Sequence, residues 1–165
     1  MLPTIKHILF TTDLSDNTRQ AFRYALSLAQ QYQAQITLLH ILEPLSTFGT
    51  ALLEAYMPHD ASDKLHAQTL DEVRKKLQKQ LEIFCQEELH ATAAESHLIN
   101  EIIVLEGHPA DAIIGQAKQR HVDMIVMGTH SHSLITKLFL GSISHKAAQI
   151  SSIPLLIVPF HHDTR

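Results

Sequence analysis

Two short groups of residues in the C-terminal part of the chain have the types and spacing to hold an anion. Met127-Gly128-Thr129-His130-Ser131 follows an apolar run, Met124-Ile125-Val126, with the composition of a buried strand. Gly141-Ser142 precedes a helical pattern from Ile143 to Ile150. A glycine at the end of a strand lets the backbone turn sharply and approach a ligand closely. A Gly-Ser pair at a helix start presents N–H groups, a hydroxyl and the positive end of the helix dipole. Those groups suit an anion, phosphate above all. If both fold onto one pocket, they make a nucleotide site from the end of one strand and the start of the next helix.

A third group, Thr11-Thr12-Asp13-Leu14-Ser15, closes the first apolar run. It lacks the glycines of a dinucleotide fingerprint and of a P-loop, so phosphates are not cradled there. Asp13 can accept hydrogen bonds from a ribose hydroxyl or an adenine edge. It can equally be a helix cap or a turn-forming carboxylate. The 13 histidines are unusual, and they open a second chemistry. His130 and His132 flank Ser131, and His145 lies one turn into the last helix. Phosphate contact, pH sensing and metal coordination are the functional readings. Scattered surface imidazoles are the plain one, with His40 inside a strand and His161-His162 in the tail. The sequence has no H-E-x-x-H motif, no Cys/His ligand spacing, no G-x-S-x-G elbow and no obvious pair of carboxylates on one helix face. Neither a catalytic residue nor a metal site is expected.

The elements that must position these groups alternate. Apolar, β-forming runs occur at Ile5 to Thr12, Ala34 to Ile41, Ile99 to Leu105, Val122 to Met127 and Ile153 to Pro159. Helical periodicity lies between them. Phe22, Ala25, Leu26 and Ala29 make one stripe; Leu65, Val73, Leu77, Leu81, Phe84 and Cys85 mark a long helix from about Ser62 to Leu89. Ala110, Ile113, Ile114 and Ala117 follow Pro109, which suits a first helical position. Leu134, Leu138 and Phe139 suggest a short helical turn in the loop before Gly141, and Leu45 to Ala61 reads as a loop with one turn of helix. Strands alternating with helices imply an α/β fold with a parallel sheet covered on both faces. Ligands in such sheets bind beyond the carboxyl ends of the strands, where strand order reverses. Adjacent first and fourth strands would put Asp13 and Gly128 on opposite sides of one crevice.

Length and charge narrow the class. A chain of 165 residues fits one domain spanning 1–165, with a frayed tail from His161 to Arg165. A net charge of -4 argues against a broad grip on nucleic acid, and Arg74-Lys75-Lys76 sits among Asp71, Glu72 and Glu82 as a solvated face. No apolar run has signal-peptide form or membrane-spanning length, so a cytoplasmic protein is expected, with no membrane partner. The one cysteine, Cys85, falls on the apolar stripe of the long helix and reads as a buried, inert thiol.

Taken together, these residues resemble the universal stress protein family over nearly the whole chain. Ile8-Leu9-Phe10-Thr11-Thr12-Asp13-Leu14-Ser15 is similar to that family's first strand and its aspartate, and Leu38-Leu39-His40-Ile41 to its second strand. Gly107-His108-Pro109-Ala110 resembles its pre-helix turn, and Asp123 to His130 its fourth strand and glycine turn. The nucleotide-binding branch carries G-x2-G-x9-G-[ST]; this chain reads Gly128-x2-Ser131-x9-Gly141-Ser142, with the spacing kept and serine at the second glycine. The resemblance implies a single-domain, Rossmann-like, five-stranded parallel sheet in the order 3-2-1-4-5. It also implies ATP or another adenine nucleotide as ligand, with magnesium as a companion of the phosphates.

Carried over position by position, Asp13, its neighbours Thr11 and Thr12, and the Ile41 backbone would hold adenine and ribose. Met127 would pack near the base. Gly128, Gly141, Ser142 and the Ile143 amide would line ribose and phosphates, with His130 and Ser131 alongside. A non-glycine residue forced into the left-handed region costs roughly 1–2 kcal/mol, or about five- to thirty-fold in affinity. A serine hydroxyl at a phosphate oxygen would recover part of that. The last strand, Pro154 to Val158, falls at the sheet edge and invites a two-fold homodimer through antiparallel pairing.

The expected function is an adenine-nucleotide-binding stress regulator that switches or senses with an unnamed partner protein, any ATP hydrolysis being slow. A nucleotide-free interaction module of the same fold is the alternative that Ser131 raises. An adenylating enzyme is a weaker one, because Thr11 to Ser15 is not the glycine- and serine-rich loop that such enzymes carry.

Overall fold

The computed structural model describes residues 1–15, 17–44, 46, 51, 55, 59–129 and 140–159. In chain order the elements are β1 (His7–Thr12), α1 (Thr18–Tyr32), β2 (Gln35–Leu42), α2 (His59–Thr92), a short 3-10 turn (Ser96–Leu98), β3 (Ile99–Glu106), α3 (Pro109–Gln119), β4 (Met124–Gly128), α4 (Ser142–Ile150) and β5 (Leu155–Val158). The strands form one five-stranded sheet in the order β3-β2-β1-β4-β5, and every pairing is parallel. This is the architecture and order expected from the sequence.

Each strand is apolar because both faces of the sheet are covered. On one face Ile8, Phe10, Ile36 and Leu38 pack under α1 and α2, joined by Phe22, Leu81 and Cys85. Phe22 bridges the layers, with ring centroids 5.0 Å from Phe10 and 5.2 Å from Phe84. On the other face Leu9, Leu39, Ile125 and Met127 pack under α3 and α4, whose Ile113, Ile114, Ala117 and Ala147 point inward. Alternation along β1 assigns successive residues to opposite faces. Ile8, Leu9 and Phe10 are therefore fully buried although they point opposite ways.

The boundaries differ from the sequence reading where polar atoms intervene. The long helix starts at His59, directly after Pro58, and ends at Thr92 rather than Leu89. The Thr92 hydroxyl caps it by donating to the Glu88 carbonyl at 2.7 Å. Ala93 then turns the chain at φ 52°, and its neighbour Ala94 bonds back to the Leu89 carbonyl at 3.1 Å. β4 begins at Met124 because the Val122 N–H is held by the Ala117 carbonyl at the end of α3. β5 is confined to Leu155–Val158 between two prolines, Pro154 and Pro159. The expected helical turn around Leu134, Leu138 and Phe139 lies outside the described residues.

One buried charge ties α1 to α2. The Glu88 side chain is 1% exposed and accepts from Arg19 Nη1 at 2.5 Å and Arg23 Nε at 2.7 Å. Arg19 also reaches Glu87 at 2.8 Å, with its guanidinium 5.5 Å from the centre of the Phe84 ring. Burial alone would raise the carboxyl's pKa, but the hydrogen bonds from Arg23 and Arg19 outweigh it and hold the pKa below the usual glutamate range. A carboxylate with a lowered folded pKa adds stability above its unfolded value of about 4.3, and loses it as the pH falls through the folded value.

Two predictions follow from this packing. Replacing both Arg19 and Arg23 with methionine strands the Glu88 carboxylate and should cost about 3 kcal/mol in urea unfolding. Glu88→Leu should cost much less, because each arginine is about half exposed and regains water. Burial and the neighbouring Glu82 push the Cys85 thiol up to about 12. Cys85 should therefore resist maleimide in the native protein at neutral pH and label fully in denaturant, as read by mass spectrometry.

Candidate functional site

β1 is the strand at which the sheet order reverses. Thr11 pairs with Leu39 of β2 on one side and Met127 of β4 on the other, while Thr12 faces His40. α1, which follows β1, and α4, which follows β4, lie on opposite faces of the sheet, and the crevice beyond two such strand ends is where a doubly wound sheet takes its ligand.

Residues of the expected site converge on the α3–α4 side of the crevice. Ile41, Met127 and Ile143 join the apolar cluster of that face, with Leu105 beside them. Met127 is buried and Ile41 half-buried. Gly141 stands in the cap position before α4, at φ −57° and ψ 154°, and its carbonyl takes the His145 N–H at 2.8 Å. Among the described residues no side chain caps α4, and the exposed Ser142 is its first residue. Ser144, one turn in, is buried and donates from its hydroxyl to the Gly128 carbonyl at 3.4 Å. That contact joins the strand end to the helix start. His130 and Ser131 lie outside the described residues.

The first turn is locked by its own side chains. The Leu14 N–H donates to Thr12 Oγ1 at 2.9 Å, and the Ser15 N–H to Asp13 Oδ1 at 2.9 Å. These bonds hold Leu14 at φ 62°, in the left-handed region that a branched side chain enters at a cost. The Thr12 hydroxyl also meets Thr18 Oγ1 at 2.8 Å, on the α1 side. The structure therefore separates Thr12 from Ile41 and Met127, across the plane of the sheet. Asp13 is exposed at the head of the turn, so its carboxylate both shapes the turn and faces solvent.

Three residues here carry more than the sequence reading gave them. His40 Nδ1 lies 2.8 Å from the Thr12 carbonyl, which can only accept, so that nitrogen carries the proton. Period-two alternation with Leu38 and Leu42 could have placed it on the α1–α2 face. Asn17, directly before α1, makes no side-chain cap bond to the helix; its Nδ2 donates to the carbonyls of Thr129 at 3.1 Å and Val158 at 3.3 Å. Nothing local signals those partners, which lie more than a hundred residues away. Helical spacing from Ala147 could have put Ser144 on the buried face of α4, but not its Gly128 partner.

A separate cleft of about 330 Å³ is lined by Leu14, Ser15, Thr18, Arg19 and Phe84. It lies on the α1–α2 side, away from Ile41, Met127 and Ile143, and Arg19 on its wall is already paired with Glu87 and Glu88. Among the described residues no group of three His, Cys, Asp or Glu side chains could hold a metal, and no helix is long and apolar enough to cross a membrane.

The five-stranded parallel sheet agrees with the comparisons to known proteins. The model of the universal stress protein family matches residues 4–159. Universal stress protein YxiE of Bacillus subtilis is 33% identical over 153 residues, covering 92% of this chain and 97% of that one. A crystal structure of a universal stress protein in complex with cAMP superposes with a TM-score of 0.59 at 22% identity, covering 95% and 98% of the two chains. The universal stress protein from Archaeoglobus fulgidus in complex with dAMP gives 0.52 at 16%, covering 93% and 97%. This chain belongs to the universal stress protein family.

Proposed function

We propose that this protein is an adenine-nucleotide-binding regulator of the stress response, with its ligand at the carboxyl ends of β1 and β4. The observation that carries the reading is the junction of the two motif halves. Ser144 bonds the Gly128 carbonyl, and Ile41, Met127 and Ile143 share one apolar cluster beneath the crevice. An apolar floor suits a purine face, and a helix start with no side-chain cap among the described residues suits a phosphate. Two structural relatives carry cAMP and dAMP, both adenine nucleotides with a single phosphate.

In this reading Asp13 takes the ribose or the adenine edge, while Thr11 and Thr12 set the height of that turn. Ile41 and Met127 bound the base. Gly128, Gly141, Ser142 and the Ile143 N–H surround ribose and phosphate, and His130 and Ser131 add polar contacts to the phosphates. ATP would bring magnesium on its own phosphates. No residue is assigned to bond cleavage; the protein acts by binding, in the cytoplasm, and passes its state to a partner protein. Among the described residues β5 is the sheet edge, paired with β4 only, and its apolar residues Leu155, Leu156 and Ile157 are half-buried. A second copy pairing there would cover them.

The nucleotide-free reading has one observation in its favour: Gly128 has a reason to be glycine that involves no ligand. A Cβ there would stand 2.7 Å from Asn17 Nδ2.

Calorimetric titration with AMP, ADP and ATP separates the two. Binding at micromolar to hundreds of micromolar nucleotide is expected, weakened about tenfold by Asp13→Ala through the lost hydrogen bonds. No heat from any of the three, together with strong binding gained by Ser131→Gly, would establish the nucleotide-free module instead. Sedimentation equilibrium should give twice the chain mass. A monomer at every concentration would overturn the edge-strand dimer.

A further inference from the structure

We propose that Asn17 is a positioning residue for the nucleotide crevice, and that Asn17, rather than a ligand, is what demands glycine at position 128. The first half rests on the nucleotide-binding reading above; the second does not.

Asn17 stands directly before α1 and is 3% exposed. Its amide nitrogen bridges the carbonyls of Thr129, where the chain leaves β4, and Val158, the last residue of β5. The Val158 carbonyl also takes the Thr129 N–H at 3.0 Å. Carbonyl oxygens only accept, so the amide can face them in one orientation alone. Its own oxygen is then left buried, with no partner among the described residues. Native proteins rarely tolerate a buried polar atom in that state, and here it accompanies the orientation that the two carbonyls require.

The amide crosses Gly128 to reach its partners. A Cβ on Gly128 would lie 2.7 Å from Asn17 Nδ2 and 3.4 Å from its Cγ, with the Ala21 Cβ 3.6 Å away. No described glycine has a positive φ, so left-handed backbone is not what selects glycine here. Asn17 cannot simply withdraw, because its own carbonyl takes the Ala21 N–H at 3.1 Å and its side chain is enclosed. The start of α1, the exit of β4 and the end of the edge strand β5 are thereby held by one side chain. Anything that moves the mouth of the crevice also moves the end of β5.

A double-mutant cycle of Asn17→Ala and Gly128→Ala tests this, because residues that act through one contact give non-additive losses. Three quantities are read: amide exchange at Thr129 without nucleotide, the urea unfolding midpoint, and AMP affinity by calorimetry. Asn17→Ala should speed Thr129 exchange and weaken AMP, each about tenfold. Gly128→Ala should do the same in the parent and add nothing in the Asn17→Ala background. Losses that multiply in the double variant would show that Gly128 serves something other than Asn17. Unchanged Thr129 exchange and AMP affinity in Asn17→Ala would overturn the positioning role. If the parent binds no AMP, the nucleotide reading falls, while exchange and unfolding still decide the contact with Gly128. Should Asn17→Ala fail to fold, Asn17→Ser also makes room above Gly128 and runs the same cycle.

Discussion

The parallel pairing of β1 with β2 on one side and β4 on the other is the constraint on which the rest depends. A parallel neighbour can be reached only by a crossover, and crossovers of one hand lay their helices on opposite faces when the chain winds outward in both directions from a central strand. Placing β1 in the middle therefore puts α1 and α2 on one face and α3 and α4 on the other, and requires β1 to be apolar on both. It also sends the chain to opposite faces of the sheet after β1 and after β4. The crevice is a consequence of that winding, before any residue is chosen to line it.

The winding explains why so much of the fold was legible in the sequence. Short apolar runs such as Ile8-Leu9-Phe10 and Ile125-Val126-Met127 announce strands covered on both sides, and the stripe Phe22, Ala25, Leu26, Ala29 announces a helix with one buried face. Boundaries were less legible because single polar contacts set them. The Thr92 hydroxyl prolongs α2, and two prolines trim β5. The Glu88 clamp was hidden for another reason. A glutamate on a helix reads as solvent-facing until Arg19 and Arg23, on a helix distant in sequence, are seen to enclose it.

The site was legible in its motif and opaque in its supports. Gly128, Gly141 and Ser142 stood out by their spacing, and Ile41 and Met127 came in through the family resemblance. The reason first given for Gly128 was freedom to turn and to approach a ligand. The atoms give another, the passage of the Asn17 amide. Such a partner is set by tertiary structure and leaves no mark in a window of neighbouring residues. The same holds for His40 on the Thr12 carbonyl and Ser144 on the Gly128 carbonyl. These contacts hold the strand ends at Thr12, Gly128 and Thr129, so the geometry offered to a ligand there depends on residues that need not touch it.

Amide chemical shifts during a titration with AMP locate the proposed nucleotide site. Saturable shifts concentrated at Asp13, Ile41, Gly128, Ser142 and Ile143, on both sides of the reversal at β1, are the expected result. Shifts confined to the α1–α2 cleft at Leu14, Arg19 and Phe84, or none at saturating AMP, would contradict it.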